Sequence, residues 1–248
     1  MSKVLITGGS RGIGAEIAKK FAIQGVEHIT LSYLHRHKAA EEVAEYCERL
    51  GVKTTLCQLD LTHLDDVRDK VRGAITKMGG VDILVNNAGI TDDALALRMT
   101  EERWESVLHT NLTSPFFLSK IVLKPMIRQR YGRIINISSV IAQRSRGGQS
   151  NYAASKGALE SMTRALAVEV ASRGITVNAV APGWIDTELT AQVQERGSAT
   201  SGIESTIPAA RTGKPEEVAA LVGFLASKEA SYITGQVVAI DGGLSVRL

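Results

Sequence analysis

The sequence predicts an α/β fold built on a doubly wound parallel sheet, and three observations carry that expectation. Strand-like and helix-like runs alternate along the 248-residue chain, with no low-complexity linker or internal repeat between them. The strand-like runs are almost continuously apolar, the pattern of strands buried on both faces. Most of them end on Gly, Asn, Asp or Pro, residues that break a strand and start a turn. With 44% apolar and 22% charged residues, the chain can bury a sizeable core and falls within the size of one large domain, residues 1–248.

In chain order the strand signals are KVLIT (3–7), HITLSYL (28–34), TTLCQLD (54–60), VDILVNN (81–87), RIINISS (133–139), ITVNAVAP (175–182) and QVVAIDGG (236–243), which makes a seven-stranded sheet. Between them, runs such as GIGAEIAKKFAIQG (12–25) and KAAEEVAEYCERLG (38–51) place apolar residues at helical spacing and close on glycine, a helix stop signal. Parallel strands need crossover helices, and helices covering both faces leave ligands the crevice at the carboxyl ends of the strands. Functional residues are therefore expected at strand ends.

Composition narrows the function classes. The 29 basic and 26 acidic residues leave a net charge of +3, too small and too dispersed for a nucleic-acid surface, although anionic small molecules remain compatible. Cys47 and Cys57 are the only cysteines and show neither disulfide nor metal-ligand spacing, so no metal is expected. MSKVLITGG lacks the long apolar core of a signal peptide, and no later run approaches a membrane span. The expectation is a soluble cytoplasmic protein with no membrane or nucleic-acid partner.

The first strand ends in Thr7-Gly8-Gly9-Ser10-Arg11-Gly12-Ile13-Gly14, a glycine-rich turn between a strand and a helix. Gly8, Gly12 and Gly14 let the backbone turn tightly and approach a pyrophosphate, whose charge the amides and dipole at a helix N-terminus favour. In the first βα unit of an alternating chain, this reads as the dinucleotide site of a Rossmann-type fold rather than an ordinary glycine turn. The second strand lacks the acidic residue that would hold the ribose hydroxyls of NAD; His35, Arg36, His37 and Lys38 stand there, with Arg11 in the glycine turn. Guanidinium forms paired hydrogen bonds with phosphate, so the expected cofactor is NADPH, held at its 2′-phosphate by Arg11 and Arg36. Asp60 and Leu61 after the third strand, and Asn87, Ala88 and Gly89 after the fourth, are placed to line the cleft, although Asp, Asn and Gly also end strands as plain turn residues.

Tyr152 and Lys156 lie at i and i+4, on one face of a helix expected to begin near Asn151. A nearby ammonium favours the phenolate, so Lys156 is expected to lower the tyrosine pKa from its ordinary ~10. Tyr152 would then protonate a carbonyl oxygen as hydride reaches the carbon, or act as base in reverse. Ser139, at the end of the fifth strand, could hold the same oxygen. Taken alone, the pair is equally compatible with a structural role on an amphipathic helix.

TGGSRGIG (7–14), NNAG (86–89), Asn111 in HTNLTSPFF, Ser139, Tyr152-x-x-x-Lys156 and PGWIDT (182–187) occur in that order, and over nearly its whole length the chain resembles the short-chain dehydrogenase/reductase family. The resemblance implies a catalytic tetrad of Asn111, Ser139, Tyr152 and Lys156, in which the asparagine orients a helix and a relay water and the lysine also bonds the nicotinamide ribose. It implies that Pro182, Gly183, Ile185 and Thr187 pack against the nicotinamide. Within the family the chain is most similar to bacterial 3-oxoacyl-[acyl-carrier-protein] reductases, implying NADPH-dependent reduction of a β-ketoacyl thioester in fatty-acid or polyketide-type synthesis. The same resemblance implies a homotetramer packed through helices around 101–130 and 152–171, with Arg130 and Arg173 at positions that hold an acidic carrier protein. Asp92 and the loop Gln143-Arg144-Ser145-Arg146 depart from the pattern around the substrate mouth, so the acyl chain and a coenzyme A thioester substrate stay open; separately, a secondary-alcohol dehydrogenase and an NADP-binding regulatory protein are the alternatives. Arg144 and Arg146 are expected to meet an anionic group, and the Gly-, Ser- and Thr-rich segment 186–211 is expected to form a lid over the substrate.

Overall fold

A computed structural model describes residues 2–188, 190–191 and 202–246. The strands are β1 (Lys3–Ile6), β2 (His28–Tyr33), β3 (Lys53–Gln58), β4 (Ile83–Asn86), β5 (Gly132–Ile137), β6 (Ile175–Pro182) and β7 (Val237–Ile240). The main helices are α1 (Gly12–Ile23), α2 (His37–Arg49), α3 (Leu64–Met78), α4 (Glu101–Leu108), α5 (Ser114–Gln129), α6 (Ser150–Val170) and α7 (Pro215–Leu225). All seven strands pair in parallel, in the order β3-β2-β1-β4-β5-β6-β7, which is the predicted doubly wound sheet.

Alternation along the central strands builds a core on each face of the sheet. Val4 and Ile6 of β1, Ile83 and Val85 of β4 and Ile135 and Ile137 of β5 pack with Ile17 and Phe21 of α1, Val43 and Cys47 of α2 and Val218 and Val222 of α7. Their neighbours Leu5, Leu84 and Ile134 point the other way, onto Val67 and Val71 of α3, Leu118 and Val122 of α5 and Leu166 and Val170 of α6. A fully buried Leu, Ile or Phe contributes about 1.5–3 kcal/mol through removal from water, so these two layers hold the helices to the sheet.

The sheet order also makes the site. β1 pairs with β2 on one side, Ile6 opposite Leu31, and with β4 on the other, Ile6 opposite Val85. The chain thus winds outward in opposite directions from β1 and β4, which opens a crevice above their carboxyl ends. Between α4 and α5 the backbone takes a π turn over His109–Thr113, and its extra residue turns Asn111 fully inside. Part of the expected lid, residue 189 and residues 192–201, lies outside the described residues. On its near side Ile185 forms a parallel bridge with Gly213, and Ile203–Thr206 forms one helical turn on its far side.

Candidate active site

Hydrogen bonds between the ends of β1 and β4 shape the glycine turn. The Thr7 hydroxyl accepts from the amides of Asn87 and Ala88, each at 3.0 Å, and the Asn87 side-chain amide donates to the carbonyls of Thr7 (2.9 Å) and Gly8 (3.0 Å). Gly14 packs so tightly that a β-carbon there would lie 2.2 Å from the Gly8 carbonyl oxygen, and Gly8 has φ +66°. Ser10, Arg11, Gly12 and Ile13 carry the chain from this turn into α1, whose first-turn amides have no intrahelical partner and favour an anion.

Arg11, after β1, and Arg36, the residue before α2, converge on one carboxylate, that of Glu188. Arg11 Nη1 pairs with Glu188 Oε2, and Arg36 reaches the same oxygen through Nη2 at 2.9 Å and Oε1 through Nη1 at 3.2 Å. An internal anion therefore stands between the two guanidiniums that were expected to hold a 2′-phosphate. This arrangement fits the phosphate-bearing end of NADPH, as the glycine turn fits its pyrophosphate. The guanidiniums hold the Glu188 carboxyl below its ordinary range.

The remaining cofactor candidates lie around the same crevice. Asp60 accepts from the amide (2.9 Å) and hydroxyl (2.7 Å) of Thr62, which lowers its pKa, and Leu61 is buried beside it. A β-carbon on Gly89 would sit 3.3 Å from Asn111 Oδ1 and 3.4 Å from Lys156 Nζ, so this glycine faces the polar cluster directly. Pro182 ends β6, Gly183 backs closely onto Asp241, and Ile185 is buried. Thr187, tied to Thr190 by its amide at 3.0 Å, comes within 3.6 Å of where a β-carbon on Gly12 would stand.

On the other side of the crevice, β5 and α6 bring Ser139, Tyr152 and Lys156 together, and the π turn adds Asn111. The Ser139 hydroxyl, which accepts from the amide of Ile141 at 3.3 Å, stands close enough to the Tyr152 phenol to favour its phenolate in part. Lys156, buried, donates to the carbonyl of Ile137 at 2.7 Å. Asn111 accepts from the amide of Ile90 (2.9 Å) and donates to its carbonyl (2.9 Å) and to the Ser155 hydroxyl (3.1 Å), which in turn bonds the Tyr152 carbonyl at 2.7 Å. Asn111 thus pins the loop after β4 to the helix that bears the tyrosine.

The protonation states differ from the sequence expectation. Burial pushes the Tyr152 phenol up to about 12, the Ser139 hydroxyl offsets this only in part, and the Asp93 carboxylate pushes it further up. Burial also pulls the Lys156 ammonium down to about 8. The i, i+4 spacing does put both on one face, but the ammonium turns to a strand-end carbonyl and stays 5.6 Å from the tyrosine ring centroid. The tyrosine therefore keeps its proton at neutral pH, the form an acid needs.

Sequence reasoning missed three contributors: Ser155, Glu188 and Asp93. Gln149 Nε2 holds the Asp93 carboxylate at 2.9 Å, and the amide of Ala94 bonds the carbonyl of Gly148 at 2.8 Å. Nothing local in NNAGITDDAL or PGWIDTEL marks these acids, because their partners are dozens of residues away. Arg144 and Arg146 meet protein groups: Arg144 bonds the carbonyl of Leu244, and the Arg146 guanidinium lies 5.9 Å from the Trp184 ring centroid. Arg130 reaches the Ser172 carbonyl at 3.2 Å, which sets it beside the Ala171–Arg173 turn. Among the described residues no group of three or more His, Cys, Asp or Glu could hold a metal, and no helix is long and apolar enough to cross a membrane.

A glycine-rich turn leading into a helix N-terminus and a phenol that keeps its proton, set about a switch-point crevice, are features of the Rossmann-type oxidoreductases. Residues 8–245 match the profile of a family described as enoyl-(acyl carrier protein) reductase, within the short-chain dehydrogenases/reductases, and the chain belongs to that family. It is 45% identical over 240 residues to the 3-oxoacyl-[acyl-carrier-protein] reductase FabG of Escherichia coli K12, covering 97% of this chain and 96% of that one. Identity to the proteins of the same name is 44% over 241 residues in Vibrio cholerae, covering 97% of this chain and 96% of that one, and 44% over 242 residues in Thermotoga maritima, covering 98% and 97%.

Proposed function

We propose that this chain reduces the 3-keto group of an acyl thioester, carried on acyl carrier protein, to the 3-hydroxyacyl thioester with NADPH in fatty-acid synthesis. The observation that carries the reading is the placement of the Ser139 hydroxyl near the Tyr152 phenol beside the crevice, with the phenol held protonated. Ketone reduction ends with a proton on oxygen, and these two donors suit that oxygen. In enoyl reduction, which the family description names, the proton ends on carbon. The full-length relatives named for 3-oxoacyl reduction support the same choice.

In this reading the substrate oxygen lies between the two hydroxyls: Ser139 donates a hydrogen bond to it and Tyr152 transfers its proton to it. NADPH, when bound, supplies the hydride to the carbonyl carbon. Arg11 and Arg36 hold the 2′-phosphate, and the turn from Thr7 to Gly14 takes the pyrophosphate. Lys156, in its ammonium form, stabilises the phenolate left behind and reaches the ribose, while Asn111 keeps α6 aligned with the loop after β4. Asp60, Leu61, Asn87, Ala88 and Gly89 line the adenine side, and Pro182, Gly183, Ile185 and Thr187 the nicotinamide side, with segment 186–211 as lid. The assembly is a homotetramer, supported by the exposed Phe116 and Ile127 on α5 and Val168 on α6. The location is cytoplasmic, supported by the free Cys47 and Cys57.

Acetoacetyl and crotonyl thioesters of acyl carrier protein, followed by NADPH oxidation, test the proposal. Turnover is expected with the keto substrate only, and Tyr152→Phe should cut it by about 10²–10⁴-fold with the NADPH Kd unchanged. Preferred turnover of the crotonyl thioester, or a fully active Tyr152→Phe variant, would overturn it.

A further inference from the structure

Glu188 lies one residue beyond PGWIDT, more than 170 positions from Arg11 and about 150 from Arg36, yet it accepts from both guanidiniums. Its position is built from two sides. Ile185 bridges Gly213 and the Asp186 amide donates to the Gly213 carbonyl at 2.9 Å, while the Thr190 hydroxyl donates to the Ile185 carbonyl at 2.6 Å. Two cations from separate βα loops sharing one oxygen form an anion site, and a carboxylate of the chain itself fills it.

We propose that Glu188 is a built-in competitor for the 2′-phosphate of NADPH, a cofactor-specificity residue that the phosphate must displace from Arg11 and Arg36. The inference rests on the assignment of those arginines to the 2′-phosphate. A phosphate ester carries more charge and more acceptor oxygens than a carboxylate and so wins the two guanidiniums. NADH has no group at that position and leaves Glu188 where it is. Displacement by NADPH also releases the segment that carries Thr187 from its tie to the two arginines, so the phosphate, remote from the reacting carbon, is sensed at the other end of the cofactor site.

The test measures Kd for NADPH and NADH by cofactor fluorescence and calorimetry, without substrate, on folded Glu188→Gln, Glu42→Gln and Arg11→Ala/Arg36→Ala proteins. Glu42 is a nearby exposed acid on α2 beside Arg36 and reports the general effect of removing one negative charge. Exposed ion pairs are screened by water and weak, so Glu188→Gln should tighten NADPH about threefold to tenfold and leave NADH within about twofold. The gain should shrink at 1 M salt, and Glu42→Gln should show little of it. Equal tightening of both cofactors, equal effects of Glu42→Gln and Glu188→Gln, or weaker NADH binding after Glu188→Gln would each overturn the competitor role. If the double arginine variant weakens NADPH selectively while Glu188→Gln changes nothing, the competitor role alone fails. If the double variant spares NADPH, the 2′-phosphate assignment fails and the competitor role goes with it.

Discussion

Lys156 is 3% exposed and its ammonium meets one backbone carbonyl, so its charge is held against a desolvation penalty that brings its pKa from 10.5 to about 8. Between those two values the unfolded chain binds more protons than the folded one, and stability rises with pH through that window. The penalty is therefore fully present at neutral pH and gone above the unfolded value. Tyr152 has the opposite sign: its pKa rises from 10.0 to about 12, so it contributes stability that is lost as pH climbs through that range. Lys156→Met keeps the side-chain volume and removes the buried charge. It should stabilise the protein at pH 7 by about 1–3 kcal/mol in urea denaturation while abolishing turnover, and the gap should narrow steadily as pH rises from about 8 toward 10.5. No gain at pH 7, or a gap unchanged at pH 10, would contradict the burial account. The identities of Ser139, Tyr152 and Lys156 were legible in the sequence. Their protonation was not, because it depends on burial and on the carbonyl that β5 presents at Ile137.

At the scale of elements, the turn between β1 and α1 shows how much a motif can say. The glycines were readable as a close-approach turn, and the backbone contact behind that reading is between Gly14 and the Gly8 carbonyl oxygen. Gly14→Ala would press a methyl group to 2.2 Å from that oxygen and 2.5 Å from Asn87 Nδ2. The loop must shift, so the variant should lose about 1–3 kcal/mol of stability in thermal melts and at least tenfold in affinity for NADPH and NADH alike. A variant with wild-type melting and cofactor binding would show that the turn tolerates the shift. The π turn at His109–Thr113 could not be read in the same way. The apolar spacing of a continuous helix and of one with a single extra residue differs too little over five residues, and the inward turn of Asn111 follows from its bonds to Ile90 and Ser155.

Across the whole molecule, the proposed carrier contact and the proposed chemistry lie at opposite ends of the sheet. Arg130 precedes β5 and Arg173 precedes β6, whereas Ser139 and Pro182 follow or close those strands. A six-residue strand spans about 20 Å, so a carrier held by Arg130 and Arg173 would serve the site of a neighbouring chain in the proposed tetramer. Arg130→Ala/Arg173→Ala should raise KM for acetoacetyl-[acyl-carrier-protein] roughly tenfold, equivalent to about 1.4 kcal/mol of lost contact, with KM for acetoacetyl-CoA unchanged. Mixed tetramers of this double variant with Tyr152→Phe chains should recover part of the carrier-dependent activity. Equal effects on both substrates would remove the carrier role.

The sequence by itself determined the seven parallel strands, the two-sided core and the glycine turn, because each depends on periodicity or on side-chain chemistry within a short window. Only the tertiary structure decided that Glu188 would stand between Arg11 and Arg36, that Asp93 would face Tyr152, and that Arg144 and Arg146 would turn to Leu244 and Trp184. Those contacts join segments from about 40 to more than 170 residues apart. Their partners are chosen by how the sheet brings strand ends together, which no local pattern in the chain encodes.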